Sequence, residues 1–84
     1  MAEQFTFADL KEILVNRVGI SEEEVVDDLT MTFEDLGLDS LAFVEIQLAV
    51  QQHYGFTISD EDAQGITNFR HAIDYTNRRI QEQE

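Results

Sequence analysis

Apolar residues recur every three to four positions over most of this chain, which is the spacing of amphipathic helices rather than of strands. The first segment with this pattern runs from Phe7 to about Arg17. Thr6 and Asp9 supply the polar groups typical of a helix start, and Gly19 is a typical stop. The pattern therefore predicts a first helix whose apolar positions are Phe7, Leu10, Ile13, Leu14 and Val18.

A second helix is predicted to begin at Ser40, with Asp39 as its N-cap, and to end at His53 or Tyr54 before Gly55. An aspartate at an N-cap accepts a hydrogen bond from a backbone N–H group of the first turn, and glycine readily adopts the left-handed conformation that ends a helix. The apolar positions of this helix are Leu41, Val44, Ile46, Leu48 and Val50, and of these Ile46 and Val50 are expected on its inner stripe.

The C-terminal part of the chain predicts one short helix and one longer helix. Phe56 and Ile58 alternate with polar residues, but no second strand lies nearby, so an extended connector is expected. A short third helix is predicted over 59–66, because Ser-Asp-Glu-Asp suits a helix start and Gly65 limits the length. Asn68 is the expected cap of a fourth helix, whose apolar stripe is Phe69, Ala72, Ile73 and Tyr75.

The connection between the first two helices, residues 21–39, is long for a compact domain, and loops of this length are usually functional. Ser21 and Glu24 indicate a short capped turn in its acidic first half. Four apolar residues are expected to anchor the loop on the helices: Leu29, Met31, Phe33 and Leu36. The predicted fold is an all-α, four-helix bundle with three main helices, one short third helix and this long loop.

The composition narrows the classes of function. The chain has 18 acidic and 5 basic residues and a formal net charge of −13, which disfavours nucleic acid and anionic membranes and favours basic protein surfaces. It has no cysteine, so any thiol chemistry must come from an attached group. No apolar run reaches transmembrane length, and Met1-Ala-Glu-Gln lacks signal-peptide features. We expect a single domain spanning 1–84 in a cytoplasmic protein.

A metal site and a catalytic serine are both disfavoured by spacing. The run 60–65 imitates the start of a calcium-binding EF-hand loop, but His71 stands at the twelfth place, where a glutamate is needed. A serine hydrolase would need a G-x-S-x-G elbow around Ser40 or a base beside it. His53 lies 13 residues further along the predicted helix, a separation of about 20 Å. We therefore predict no metal ligands and no catalytic residue.

A serine at a helix start suits covalent attachment, because the free N–H groups and partial positive charge there tolerate a phosphate. The run Phe33-x-Asp35-Leu-Gly37-x-Asp39-Ser40-Leu41 resembles the signature of acyl carrier proteins. The similarity continues in matching order over nearly the whole chain, through Glu45, Tyr54-Gly-Phe, Ser59-Asp-Glu-Asp and Phe69-x-x-Ala-Ile-Asp-Tyr75.

The resemblance implies that Ser40, flanked by Asp39 and Leu41, becomes a phosphodiester of 4′-phosphopantetheine. A phosphopantetheinyl transferase would install this group from coenzyme A with magnesium. The thiol of the arm would carry acyl groups as thioesters between enzymes, which explains how a chain without cysteine takes part in thiol chemistry. The protein implied is a carrier and not an enzyme.

The resemblance also implies which proteins the carrier meets. The partners would be the transferase, a ketosynthase, an acyltransferase and tailoring enzymes, each with a basic docking patch. The acids expected to face these patches are Glu45 on the second helix and Asp60, Glu61 and Asp62 on the third. The carrier itself is expected to be a monomer.

Two departures from typical fatty-acid carriers bear on the pathway. Gln47, Gln51 and Gln52 leave the second helix nearly neutral beyond Glu45, and Thr76 stands where such carriers often have an apolar residue. We therefore favour a carrier of a dissociated (type II) polyketide synthase, with a fatty-acid or other specialised acyl carrier as the alternative. A peptidyl carrier is disfavoured, since its site usually reads Gly-Gly-x-Ser. A more distant alternative is an acidic interaction module that never carries a group.

Overall fold

The computed structural model of this chain describes residues 4–83, which form four helices. Their bounds are Phe7–Ile13 for α1, Ser40–Tyr54 for α2, Asp60–Gln64 for α3 and Phe69–Glu82 for α4. Over 4–83 no strand forms, and the pairing of Thr32 with Asn68 is an isolated bridge. The predicted all-α architecture, with three main helices and one short helix, is confirmed. The first residues of the chain, whose composition bears on a signal peptide, lie outside the described range.

The start of α1 matches its sequence prediction, whereas its end differs. The Asp9 N–H group donates to Thr6 Oγ1 at 3.3 Å, and the Thr6 N–H group donates to Asp9 Oδ2 at 2.9 Å. Beyond α1 the chain continues as a π-helical segment, Leu14–Val18, rather than as α-helix to Arg17. Gly19 closes this segment with a φ of 90°, and its N–H group donates to the Leu14 carbonyl at 3.0 Å.

The long loop between α1 and α2 is held on the start of α4 by backbone hydrogen bonds. The Phe69 N–H group donates to the Met31 carbonyl, and the Arg70 N–H group donates to the Leu29 carbonyl, both at 3.0 Å. Phe33 is buried, and the other predicted anchors are partly buried against the core. The anchoring of this loop is therefore confirmed. The first N–H groups of α4 have no partners within the helix, and the loop carbonyls accept their hydrogen bonds.

Two short 3₁₀ turns lie within this loop, Glu22–Glu24 and Glu34–Leu36. The first stands where a capped turn is predicted, but the Ser21 side chain makes no capping hydrogen bond. The expectation of a serine cap is therefore wrong, although the turn itself is confirmed. A turn of a single 3₁₀ unit is closed by the backbone alone, here through the Glu24 N–H group and the Ser21 carbonyl at 3.0 Å.

An aromatic cluster joins the loop, α2 and α4. The ring centroid of Phe33 lies 5.4 Å from that of Phe43 and 5.4 Å from that of Phe69. Aromatic pairs at such distances stabilise a fold by about 0.5–1.5 kcal/mol beyond the area they bury. Phe33 precedes Ser40 and Phe43 follows it, so the cluster fixes the start of α2 relative to α4.

α2 buries the two residues predicted for its inner stripe and exposes its other apolar positions. Ile46 and Val50 are buried as expected, but Leu41 is 76% exposed, Val44 45% and Leu48 39%. At about 100° per residue, the exposed residues lie on one side of the helix, and Ile46 and Val50 lie on roughly the opposite side. The predicted inner stripe of Ile46 and Val50 is therefore confirmed. Neighbouring elements cover one apolar side and leave the other in solvent.

The last two helices begin with the predicted caps. Ser59 Oγ accepts a hydrogen bond from the Asp62 N–H group at 3.1 Å, and Asn68 Oδ1 accepts one from the His71 N–H group at 2.8 Å. α3 ends at Gln64, before the predicted limit at Ile66, and Phe56 and Ile58 of the connector before it are buried.

α4 buries its predicted stripe with one exception and one addition. Phe69, Ala72 and Tyr75 are buried, whereas Ile73 is only partly so. Thr76 is also buried, at 3% exposed, so this polar position faces the core. Over residues 4–83, every buried side-chain nitrogen and oxygen atom has a hydrogen-bond partner. None of the helices in this range is long and apolar enough to span a bilayer.

Candidate functional site

A rigid turn leads the chain into α2. The Asp35 N–H group donates to Thr32 Oγ1 at 3.0 Å, and the Thr32 N–H group donates to Asp35 Oδ2 at 3.1 Å. These two bonds join the residue before Phe33 to the 3₁₀ turn Glu34–Leu36, which ends at Gly37 with a φ of 72°. Because a positive φ is strained for residues with a Cβ atom, this position requires glycine. The turn thereby sets the direction in which the chain approaches Ser40.

Asp39 is the N-cap of α2, as predicted, and Ser40 is its first residue. Asp39 Oδ1 accepts a hydrogen bond from the Ala42 N–H group at 2.9 Å, a contact that stabilises a helix by about 1 kcal/mol. Ser40 is exposed, and no acidic residue occupies the first turn of α2. Its hydroxyl therefore stands in solvent at the positive end of the helix dipole, where an attached anion is favoured.

A groove of about 310 Å³ opens beside Ser40. It has an apolar wall and a polar edge, so a flexible chain with both apolar and polar groups can lie in it. Ile66 and Thr67, which follow α3, are among the residues that line the groove. The apolar residues of the wall are Phe33, Leu38, Phe43 and Ile66, and the other lining residues are Thr32, Glu34, Asp39, Ser40 and Thr67.

The acids predicted to meet partners differ in their surroundings. Glu45 is exposed on α2, on the same side as Leu41, and Asp60 and Glu61 are exposed on α3. Asp62 is bonded within the protein instead, since its Oδ2 atom accepts a hydrogen bond from the Tyr75 hydroxyl at 2.8 Å. Glu45, Asp60 and Glu61 are thus oriented toward solvent, while Asp62 also has a structural role.

Each histidine contacts a residue other than Ser40. His71 Nδ1 lies 3.1 Å from the Thr67 hydroxyl, and the His53 ring packs against Tyr54 near the far end of α2. Of the described residues that line the groove beside Ser40, none is a histidine. Within the same described range, no group of three or more histidines and acids is arranged to hold a metal ion.

Comparison with known proteins identifies the family of this chain. A protein-family profile described as "Phosphopantetheine attachment site" matches residues 8–76, a range that contains Ser40. A protein named "Acyl carrier protein" from Nitratidesulfovibrio vulgaris (strain DP4) is 39% identical over 70 residues, which cover 83% of this chain and 91% of that protein. The chain belongs to the acyl carrier protein family. Its cofactor is phosphopantetheine, and it is a carrier rather than a catalyst, as predicted.

Solved structures of acyl carrier proteins share this fold over almost the whole chain. The octanoyl carrier protein of the actinorhodin polyketide synthase from Streptomyces coelicolor is 33% identical with a TM-score of 0.84, and 98% of each chain is covered. The holo form of the actinorhodin carrier is 32% identical with a TM-score of 0.78 and the same coverage. The apo form is 34% identical with a TM-score of 0.80, and 93% of each chain is covered.

Two sets of site residues were not predicted from the sequence. Leu41 is predicted only as a neighbour of Ser40. The exposed apolar side of α2 to which it belongs could have been found from the angles between residues, because Leu41, Val44 and Leu48 are separated from Ile46 by about 140° or more around the helix. The groove wall had no such signal. Its residues come from the loop, from α2 and from the segment after α3, and only the packing of these elements brings them together.

Proposed function

We propose that Ser40 is the residue to which 4′-phosphopantetheine is attached, and that the chain presents acyl intermediates on this arm to synthase enzymes. The observation that supports this is the exposed Ser40 hydroxyl at the first residue of α2, beside a groove. The arm supplies the thiol that forms the thioester. Asp39 keeps its carboxylate on the Ala42 N–H group, so the helix start stays capped while Ser40 remains accessible to an enzyme.

The residues around Ser40 suit a phosphodiester with an attached chain. The first N–H groups of a helix have no partners within the helix, so a phosphate on Ser40 adds its charge where donors and the dipole favour it. The apolar wall of the groove offers Phe43 and Leu38 to the chain's methyl groups, and the hydroxyls of Thr32 and Thr67 can pair with its amides. These contacts would hold the arm loosely, as transfer between enzymes requires.

We propose that partner enzymes dock on the α2 docking face, which comprises Leu41, Val44, Glu45 and Leu48. Three of these side chains are apolar and exposed on one side of the helix, and contiguous exposed apolar patches mark interaction sites. Glu45 lies among them and adds one negative charge near the attachment point. A partner that fits this face has an apolar pocket with lysine or arginine at its rim.

For the pathway, we propose a carrier of a type II polyketide synthase. The support comes from structural similarity to actinorhodin carriers, from the buried Thr76 and from the single acid of α2. A hydroxyl in the core disfavours a long alkyl chain there, since desolvated polar groups weaken apolar packing. A fatty-acid or other specialised carrier is the second candidate, because the relative from N. vulgaris is named simply as an acyl carrier protein.

The attachment is tested by mass spectrometry after incubation with coenzyme A, magnesium and a broad-specificity phosphopantetheinyl transferase. The wild-type chain should gain one phosphopantetheinyl group on the peptide that contains Ser40. Ser40→Ala should gain none while keeping its helical circular dichroism. Ser21→Ala is the matched control, since Ser21 makes no capping bond and should not affect loading. Loading of the Ser40→Ala protein would overturn the assignment.

The pathway is tested with the loaded carrier. Holo protein carrying a malonyl group would be offered to a type II polyketide ketosynthase pair and, separately, to a fatty-acid ketosynthase. A higher kcat/KM with the polyketide pair is the expected result. A clear preference for the fatty-acid enzyme would overturn the polyketide proposal and leave the attachment at Ser40 unaffected.

A further inference from the structure

A polar network joins α3 to α4. The Tyr75 hydroxyl donates to Asp62 Oδ2 at 2.8 Å and accepts a hydrogen bond from Arg79 Nη1 at 2.6 Å. Arg79 Nη1 also lies 3.9 Å from Asp62 Oδ2. The hydroxyl of Tyr75 is therefore placed between a carboxylate and a guanidinium group, and the three side chains share one chain of hydrogen bonds.

Arg79 is held in this position by two further contacts. Its guanidinium carbon lies 4.8 Å from the ring centroid of Phe56, which is buried in the connector before α3. Its Nε atom lies 3.4 Å from a carboxylate oxygen of Glu82. The aromatic ring holds one face of the planar guanidinium group and the carboxylate holds one of its edges, so the orientation of the group is fixed. Arg79 thus contacts α3, α4 and the connector together.

α3 has few other contacts that could fix it. It has five residues, Asp60–Gln64, and its buried residue is Ala63. A helix of this length is not stable by itself in water, so its position depends on its packing and on side-chain contacts. The Ser59 cap closes its first turn but does not tie it to another helix. The hydrogen bond from Tyr75 to Asp62 is such a tie.

The network is accessible from outside. The Asp62 side chain is 44% exposed and that of Arg79 is 25% exposed, whereas Tyr75 is buried. An incoming cation can therefore reach the Asp62 carboxylate without first displacing Tyr75. Burial, followed by the hydrogen bond to Asp62, raises the pKa of Tyr75, so its hydroxyl keeps its proton at neutral pH and remains a donor.

We propose that Asp62, Tyr75 and Arg79 form a clamp that holds α3 on α4, and that a lysine or arginine of a docking partner competes with Arg79 for Asp62 and so loosens α3. The competition rests on the proposed function, because it requires a basic partner enzyme to dock on the carrier, and on the sequence-based prediction that Asp62 is one of the acids such a partner meets. Ile66 and Thr67 follow α3 and line the groove beside Ser40, so the loosened helix adjoins the attachment site.

The clamp is tested on the apo chain by hydrogen–deuterium exchange, which needs neither the arm nor a partner. Arg79→Gln should speed exchange of the α3 amides several-fold and leave those of α2 within about twofold of wild type. Tyr75→Phe keeps the buried ring, removes only the hydroxyl, and should have the same effect. Arg70→Gln is the matched control, since it removes one positive charge from α4 and breaks only an exposed pair with Asp74. Unchanged α3 exchange, or equally faster exchange in all helices, would overturn the clamp.

The competition is tested by the dissociation constant of the apo chain with a phosphopantetheinyl transferase. Arg79→Gln should tighten binding about threefold more than Arg70→Gln does, because it frees Asp62 for the enzyme. In an Asp62→Asn background the two variants should no longer differ. Equal effects in the wild-type background, or a difference that persists with Asp62→Asn, would overturn the competition. Failure to modify Ser40 would overturn the proposed function. The clamp would still be tested by hydrogen–deuterium exchange of α3, which is measured on the apo chain.

Discussion

Asn77 in α4 holds the backbone of Phe5 from both sides, although 72 positions separate the two residues. Asn77 Oδ1 accepts a hydrogen bond from the Phe5 N–H group at 2.7 Å, and Asn77 Nδ2 donates to the Phe5 carbonyl at 2.9 Å. The Phe5 ring is almost fully buried and packs edge-on against Tyr54 at a centroid distance of 5.8 Å. One amide side chain thus fastens the segment before α1 to the last helix and to the end of α2.

Asn77→Ala should destabilise the protein, because it leaves the N–H and carbonyl groups of Phe5 without their partner. Leaving a buried polar group unpaired costs about 1–3 kcal/mol. We expect a loss of that size in the free energy of unfolding, measured by urea denaturation. Asn16→Ala, at an exposed asparagine, is the control and should change the free energy by less than about 0.5 kcal/mol. Equal midpoints for the two variants would contradict the role of Asn77.

The two apolar sides of α2 should respond differently to truncation. Ile46→Ala should lower the free energy of unfolding by about 2–5 kcal/mol, since Ile46 is buried and its loss leaves a cavity. Leu48→Ala should cost less than Ile46→Ala, about 1 kcal/mol or below, since Leu48 is already 39% exposed. The same Leu48 variant should raise the KM of the transferase if the α2 docking face is used. A large loss of stability in Leu48→Ala would place Leu48 in the core instead.

Glu45→Lys should slow loading by a phosphopantetheinyl transferase more at low salt than at high salt. Exposed charges steer association, and added ions screen that attraction. The measurement is kcat/KM over a range of sodium chloride concentrations. Glu12→Lys makes the same change of charge on α1 and is the control for net charge alone. If both variants slow loading equally, or if Glu45→Lys acts equally at every salt concentration, local steering by Glu45 is not the cause.

Tyr75 should make stability depend on pH in the alkaline range. Burial, and then the hydrogen bond to Asp62, raises the pKa of Tyr75 above its usual value of 10.0. Its contribution to stability is therefore complete below the pKa of an unfolded tyrosine and is lost as the pH rises through the folded pKa. Urea denaturation between about pH 8 and pH 11 should show a steeper loss in wild type than in Tyr75→Phe. Parallel curves would show that Tyr75 ionises equally in both states.

Local chemistry accounts for what the sequence predicted correctly. The starts of α1, α2, α3 and α4 follow from Thr6, Asp39, Ser59 and Asn68, each of which caps the helix that begins at the next residue. The stops at Gly19 and Gly55 follow from the left-handed backbone that glycine tolerates. These signals act within three or four residues, so they can be read without knowing the rest of the fold. The position of Ser40 at a helix start is predictable for the same reason.

The amino-acid sequence by itself determined where the helices lie and which serine stands at a helix start, and the tertiary structure decided what each helix faces. Periodicity placed Ile46 on the inner stripe of α2 but did not show that the side with Leu41 is left in solvent. The pairing of Phe5 with Asn77 and the bond from Tyr75 to Asp62 likewise join residues from different elements. Such contacts depend on how whole elements pack in space, and a pattern of nearby residues carries no information about that packing.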